Sequence, residues 1–204
     1  MKAIQIHATG GPEVLELGDL PIPEPGAGQV LIRDEAAGVN VIEIYFRKGV
    51  YKAALPLIPG SEAAGTVEEL GPGVTGFVAG DAVVSTSMIG SYAEYALVPA
   101  AQLIRIPDGL TMECAAAAML QGMTAHYLSH STFPLKAGHT ALVHAGAGGV
   151  GLLLTQMAVR MGARVITTVS TEAKAELSRN AGASDVILYS HQSFEDEVKR
   201  LTGG

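Results

Sequence analysis

The chain has one cysteine, Cys114, and no tryptophan. A lone thiol leaves no internal disulfide to form, which agrees with a reducing compartment, and the cytoplasm is the expected location. Aromatic residues make up only 5% of the chain, so any core must be built from small aliphatic side chains. The 48% of residues that are apolar exclude disorder as a global description. Basic residues are also scarce: 13 Lys and Arg stand against 20 Asp and Glu, for a net charge of −7. Coating a nucleic acid requires clustered cations that release counterions, so no nucleic-acid partner is expected. An anionic ligand would have to be held by backbone dipoles and a few placed cations. Long hydrophobic runs are missing too. "CAAAAML" is far short of the roughly 20 residues that cross a bilayer. The start, "MKAIQIHATGGPEVLEL", lacks the apolar centre of a signal peptide. No membrane partner is expected.

Two textures meet near residue 122. Before it, short β-branched and apolar runs ("KAIQIHA", "QVLIRDEAAGV", "AAGTVEEL", "DAVVSTSM", "SYAEYALV", "QLIRI") are separated by Pro and Gly turns. This pattern predicts a β-rich barrel or sandwich. One helical insertion is expected at Asn40–Gly49, with Asn40 as its N-cap. Asp108 and Thr111 are candidate caps for a helix that joins the two halves. Further on, strands at Thr140–Ala145, Arg164–Val169 and Asp185–Leu188 alternate with helices around Val150–Met161, Thr171–Ala181 and Ser193–Thr202. Such alternation predicts βαβ units and a parallel sheet.

Between the first strand and helix of that second half lies "HAGAGGVG". Gly146, Gly148 and Gly151 form G-x-G-x-x-G directly after an apolar strand and at the opening of a helix. One glycine permits a tight turn, one lets backbone approach a pyrophosphate, and one lets the helix pack against the strand. The ligand's charge would meet free N–H groups at the positive end of the helix dipole. An NAD site wants a carboxylate about 20 residues further on, to bind the ribose 2′-hydroxyl. That place falls near Ser170, and no acid stands there. Ser170, Thr171 and Lys174 suit a 2′-phosphate instead, which favours NADPH. Glu172 could repel that phosphate or face solvent, and Lys174 could be a solvated helix residue.

The segments "GGPEVLEL", "AAGVNVIEIYFRKGVY", "LPLIPGSEAAGTVEELGPGVTGFVAGDAVV", "GSYAEYALVPA", "MLQGMTAHYL" and "HAGAGGVG" together resemble the NADPH:quinone oxidoreductase (zeta-crystallin-like) branch of the medium-chain dehydrogenase/reductase superfamily. The resemblance runs from Met1 to the end. It implies an α/β plus β chain: a GroES-like β-rich catalytic domain at 1–122 and an incomplete Rossmann domain at 123–204, with the active site in the cleft between them. It implies that Gly148, Gly149 and Val150 lie along the pyrophosphate, that Ser170, Lys174 and Tyr189 surround the 2′-phosphate, and that Thr124 lies near the nicotinamide ribose. Asn40 and Tyr45 match the residues lining the nicotinamide and substrate cleft. Read without the family, Tyr45 is a helix residue packed in the core, Asn40 a cap and Thr124 a helix-start hydroxyl. The positions matching the zinc ligands of related alcohol dehydrogenases are Asn40, Ser61 and Gln121, none a typical zinc ligand. His126 and His130 are i, i+4 neighbours, but "HYLSH" lacks the glutamate of H-E-x-x-H. No metal is expected.

Without a Lewis acid, the easier substrates are those that already accept electrons, namely quinones and other conjugated carbonyls. Tyr45, helped by Asn40, is the expected donor to the substrate oxygen. The resemblance also implies that the chain stops before the fourth Rossmann strand. Gly203–Gly204 then reads as a loop, and the first strand of the parallel sheet keeps an unpaired edge. The family often dimerises through the nucleotide domain. Two alternatives stay open: a non-catalytic dinucleotide-binding or self-associating fragment, and an enoyl-thioester reductase.

Overall fold

Short strands broken by turns dominate the first half of the molecule. The computed structural model describes residues 1–204 and divides them into two compact units, Met1–Leu120 and Gln121–Gly204. In the first unit β1 (Lys2–Gln5) pairs antiparallel with β2 (Glu16–Asp19), a strand that the sequence patterning did not single out. Five more strands form an antiparallel sheet in the order β6 (Tyr95–Pro99), β3 (Gln29–Ala37), β4 (Ala63–Leu70), β5 (Ala82–Ser85), β7 (Ile104–Arg105). Val30, Ile32, Val67, Val83 and Val98 are buried together on one face, where branched side chains fill the pleated surface. On the other face Ala64 and Val84 meet Ala115 and Ala116 of helix α2 (Met112–His126). Within the "CAAAAML" run Ala115 and Ala116 face the sheet, and their small side chains let α2 lie close to it, while Cys114, Ala117 and Ala118 are exposed. Thr111 caps α2 by accepting the Cys114 N–H at 3.2 Å. No helix is long and apolar enough to cross a membrane.

Helix α1 (Val41–Arg47) follows β3. Asn40 holds its N-cap position with an extended backbone, yet its side chain makes no cap bond. The expected capping role is therefore corrected. Asn40 is buried, and its amide turns to Glu62, as described below.

In the second unit β10 (Asp185–Leu188), β9 (Arg164–Val169) and β8 (Thr140–His144) form a parallel sheet in that order. Helices α3 (Gly149–Arg160) and α4 (Glu172–Asn180) make the two crossovers, and α5 (Phe194–Thr202) follows β10. The central strand β9 is buried from Val165 to Val169, the continuous burial expected of an inner parallel strand. β8 pairs with β9 alone, so its other edge is open. Thr171 caps α4, accepting the Lys174 N–H at 3.3 Å, and Ser193 caps α5, accepting the Asp196 N–H at 3.4 Å. Gly203 is not loop but the left-handed C-cap of α5 (φ 83), with its N–H bonded to Lys199 O at 2.9 Å.

Candidate functional site

The turn after β8 is held by its own backbone. Gly146 N–H donates to Thr168 O at 3.1 Å, and Gly148 N–H donates to Ala145 O at 2.8 Å. Its one left-handed residue is Ala145 (φ 51), not a glycine. This corrects the expectation that a glycine supplies the tight turn. Gly146 is required for packing instead: a Cβ there would stand 2.5 Å from Thr167 Cβ. At Gly151 a Cβ would overlap the Ala145 carbonyl, so α3 can lie against β8 only without a side chain. Gly148 and Gly149 differ from this buried pair in being exposed. Gly148 is the N-cap of α3, and no side chain caps the helix. The first-turn amides of Gly149, Val150 and Gly151 therefore have no partner from within the helix.

A pocket of about 160 Å³ joins that turn to the end of β9. Ala145, Ala147 and Gly148 line one side, and Ser170, Lys174 and Tyr189 the other. Lys174 Nζ donates to Ser170 Oγ at 3.3 Å, so a cation and a hydroxyl converge on it. Glu172 is held by Arg179 at 2.5 Å, and no carboxylate lines the pocket. A larger pocket of about 560 Å³ shares Ala145 and Tyr189 and adds His144, Gln192 and Phe194. His144 Nδ1 lies 3.0 Å from Thr168 Oγ1, and its ring meets Phe194 edge-on at 5.1 Å. The sequence reading missed these residues. The position of His144 at the C-terminal end of a parallel strand was the available signal. Thr124 lies half-buried on α2, outside both pockets.

In the first unit, α1 presents two faces. Tyr45 is on the outer one, 42% exposed, with its ring set edge-to-face against Tyr51 at 5.4 Å, so it is not a core residue. Asn40 and Glu43 are on the inner face, where they line a separate pocket of about 290 Å³ with Arg47 and Tyr92. Asn40 Nδ2 donates to Glu62 Oε2 at 2.8 Å. Glu43 accepts from Gly60 N–H at 3.1 Å and from Ser61 Oγ at 3.2 Å. The Tyr92 phenol is pushed above its usual pKa, first by burial and then by the carboxylates of Glu43 and Glu62. Neither glutamate was singled out from the sequence, although Glu43 lies one helical turn from Asn40 and so shares its face.

These donors do not suit zinc. Asn40 and Ser61 spend their side chains on carboxylates, the only cysteine is exposed, and no group of three or more His, Cys, Asp or Glu is arranged to hold a metal. His126 and His130 stack at 4.1 Å, and His130 Nδ1 is already engaged by Ser129 Oγ and His126 O.

Two family models match the chain: the alcohol dehydrogenase GroES-like domain over residues 26–108 and the zinc-binding dehydrogenase over residues 149–204. A quinone oxidoreductase of Pseudomonas aeruginosa is 46% identical over 205 residues, covering 100% of this chain and 63% of its own length. A 2-haloacrylate reductase of Burkholderia is 42% identical, with the same coverage. Among solved structures, the quinone oxidoreductase of Escherichia coli complexed with NADPH superposes with a TM-score of 0.97 at 37% identity, covering 100% of this chain and 63% of that one. A mycobacterial protein complexed with NADPH gives 0.96 at 53% identity, covering 100% and 64%. The chain thus spans about 63% of the length of the curated relatives it matches. A GroES-like unit, a Rossmann-type parallel sheet and likeness along the whole chain agree: the protein carries the alcohol dehydrogenase GroES-like and zinc-binding dehydrogenase domains and is similar from end to end to quinone oxidoreductases.

Proposed function

We propose that this chain carries the coenzyme grip and the substrate-facing residues of a metal-independent, NADPH-dependent reductase of quinones or other conjugated carbonyls. The observation that carries the reading is the pocket in which Ser170, Lys174 and Tyr189 meet Ala145, Ala147 and the exposed Gly148 of the turn with no carboxylate among them. Gly148, Gly149 and Val150 would hold the diphosphate through backbone amides, with Gly146 and Gly151 keeping the turn in shape. Lys174 and Ser170 would hold the 2′-phosphate, and Tyr189 would flank it. Thr124 is assigned to the nicotinamide ribose. Bound NADPH would supply the hydride to the conjugated acceptor. Tyr45 would donate a hydrogen bond to the oxygen that gains charge. Asn40, with Nδ2 engaged by Glu62, is assigned to the nicotinamide side. Dimerisation through the second unit and a cytoplasmic location belong to the same proposal. Sedimentation of the purified chain tests the first.

NADPH oxidation with a simple quinone tests the whole reading. Turnover with NADPH and little with NADH is the expected result. Binding without turnover would favour a dinucleotide-binding module, and preference for enoyl thioesters would move the substrate class.

Two substitutions probe the parts. Lys174 is exposed, so Lys174→Ala should weaken NADPH binding by about 1 kcal/mol, close to fivefold, and leave NADH binding unchanged. Equal losses for both coenzymes would remove the 2′-phosphate role. Tyr45→Phe should lower turnover about tenfold with little change in NADPH affinity. Undiminished turnover would take the donor role from Tyr45.

A further inference from the structure

Glu62 is fully buried, and the roles above give it nothing to do. A carboxylate withdrawn from water costs several kcal/mol unless donors replace the water. Here each oxygen has its own donor. Oε2 accepts from Asn40 Nδ2 at 2.8 Å, and Oε1 accepts from the Leu120 N–H of α2 at 2.6 Å. The backbone beneath is anchored as well: Glu62 O accepts from Gly38 N–H at 2.8 Å and from Ser91 Oγ at 3.1 Å. A Cβ on Gly38 would overlap Glu62 Oε2, so the absence of a side chain at 38 is what lets the carboxylate reach Asn40.

An asparagine amide has two ends of nearly equal shape and opposite polarity. A neutral partner could accept either end; a carboxylate accepts only the NH2 end. We propose that Glu62 is a positioning residue: it locks the Asn40 amide with Nδ2 inward, so that the oxygen forms the opposite branch, and it ties that orientation to α2 through Leu120. A flipped amide would set the Asn40 oxygen against the Glu62 carboxylate, acceptor against acceptor. The catalytic meaning of this lock rests on the proposed function; the lock itself does not.

The test separates the two. In 1H–15N spectra of the 204-residue chain, the Asn40 side-chain amide should show one downfield, slowly exchanging proton. Glu62→Gln should abolish that signature. Gly38→Ala, which keeps the charge and displaces the carboxylate, should do the same. The double variant Asn40→Asp with Glu62→Gln reverses donor and acceptor and should recover the unfolding midpoint lost in Glu62→Gln alone. With quinone as acceptor, and rates normalised to NADPH-binding sites, Glu62→Gln should lower kcat about tenfold or more while the KM for NADPH moves less than about twofold. An Asn40 signature unchanged in both single variants overturns the proposal, as does a normalised kcat equal to that of the parent chain. If the parent chain neither binds nor oxidises NADPH, the proposed function fails, and the amide signature alone decides the lock. If Glu62→Gln does not fold, Gly38→Ala decides it.

Discussion

Gly151→Ala is expected to destabilise the second unit by about 3 kcal/mol, lowering its unfolding midpoint by on the order of 10 °C. The added Cβ would overlap the Ala145 carbonyl and stand 2.9 Å from Gly146 Cα. Both obstacles are backbone, so neither can swing aside. Alanine is the better helix former, by up to about 1 kcal/mol, and this gain is too small to offset the overlap. Relief requires α3 to move away from β8, which also re-aims the first-turn amides. NADPH affinity should therefore fall by roughly tenfold or more. Gly148→Ala is the matched control. Its Cβ meets only Ala145 O, at 3.3 Å, so the fold should survive nearly unchanged while NADPH binding weakens. Urea unfolding and NADPH fluorescence titration on both variants separate packing from ligand approach. Tight NADPH binding by Gly148→Ala would show that the diphosphate lies elsewhere.

The second large effect lies away from the site, at Asp34 on β3. Both of its carboxylate oxygens are shut from solvent and without a hydrogen-bond partner. Burial pushes its pKa from 3.8 up to about 8. Its strand neighbours Arg33 and Glu35 pair with each other at 3.4 Å and leave Asp34 no counter-charge. In the unfolded chain the group ionises near pH 4; in the folded chain it keeps its proton until about pH 8. Between those values the unfolded state holds fewer protons. Stability from this group is therefore fully present below about pH 4, and it falls by about 1.4 kcal/mol per pH unit until about pH 8. The whole window amounts to on the order of 5 kcal/mol, a large share of a domain's net stability. Asp34→Asn keeps the shape of the neutral acid and removes the ionisation. The variant should be more stable than the parent at pH 8, and the difference should shrink toward pH 5. Parallel pH profiles for the two chains would show that Asp34 ionises freely in the folded state.

Local rules carried much of this molecule. β4, β9 and β10 have the limits that apolar runs and flanking turns predict, because strand periodicity and turn sterics act within a few residues. The glycine spacing likewise placed the turn between β8 and α3, since the exclusion of side chains at Gly146 and Gly151 arises within the one strand–turn–helix unit and the strand beside it. Even there the local rule misassigned one task, because the left-handed position fell to Ala145.

What only the tertiary structure decided involves partners distant in sequence. Asn40 and Glu62 are 22 residues apart, and Leu120 is 58 beyond Glu62; no periodicity spans such gaps. Sequence alone determined that a glycine-rich strand–turn–helix unit follows a β-rich half, since backbone sterics and side-chain alternation are written in adjacent residues. Tertiary folding decided that Asn40 is a locked amide rather than a helix cap, that Asp34 is a carboxyl stranded without a counter-charge, and that Lys174 meets Ser170 beside the turn. Each of these depends on which groups burial brings together and which it separates from water, and that is settled only when the chain closes on itself.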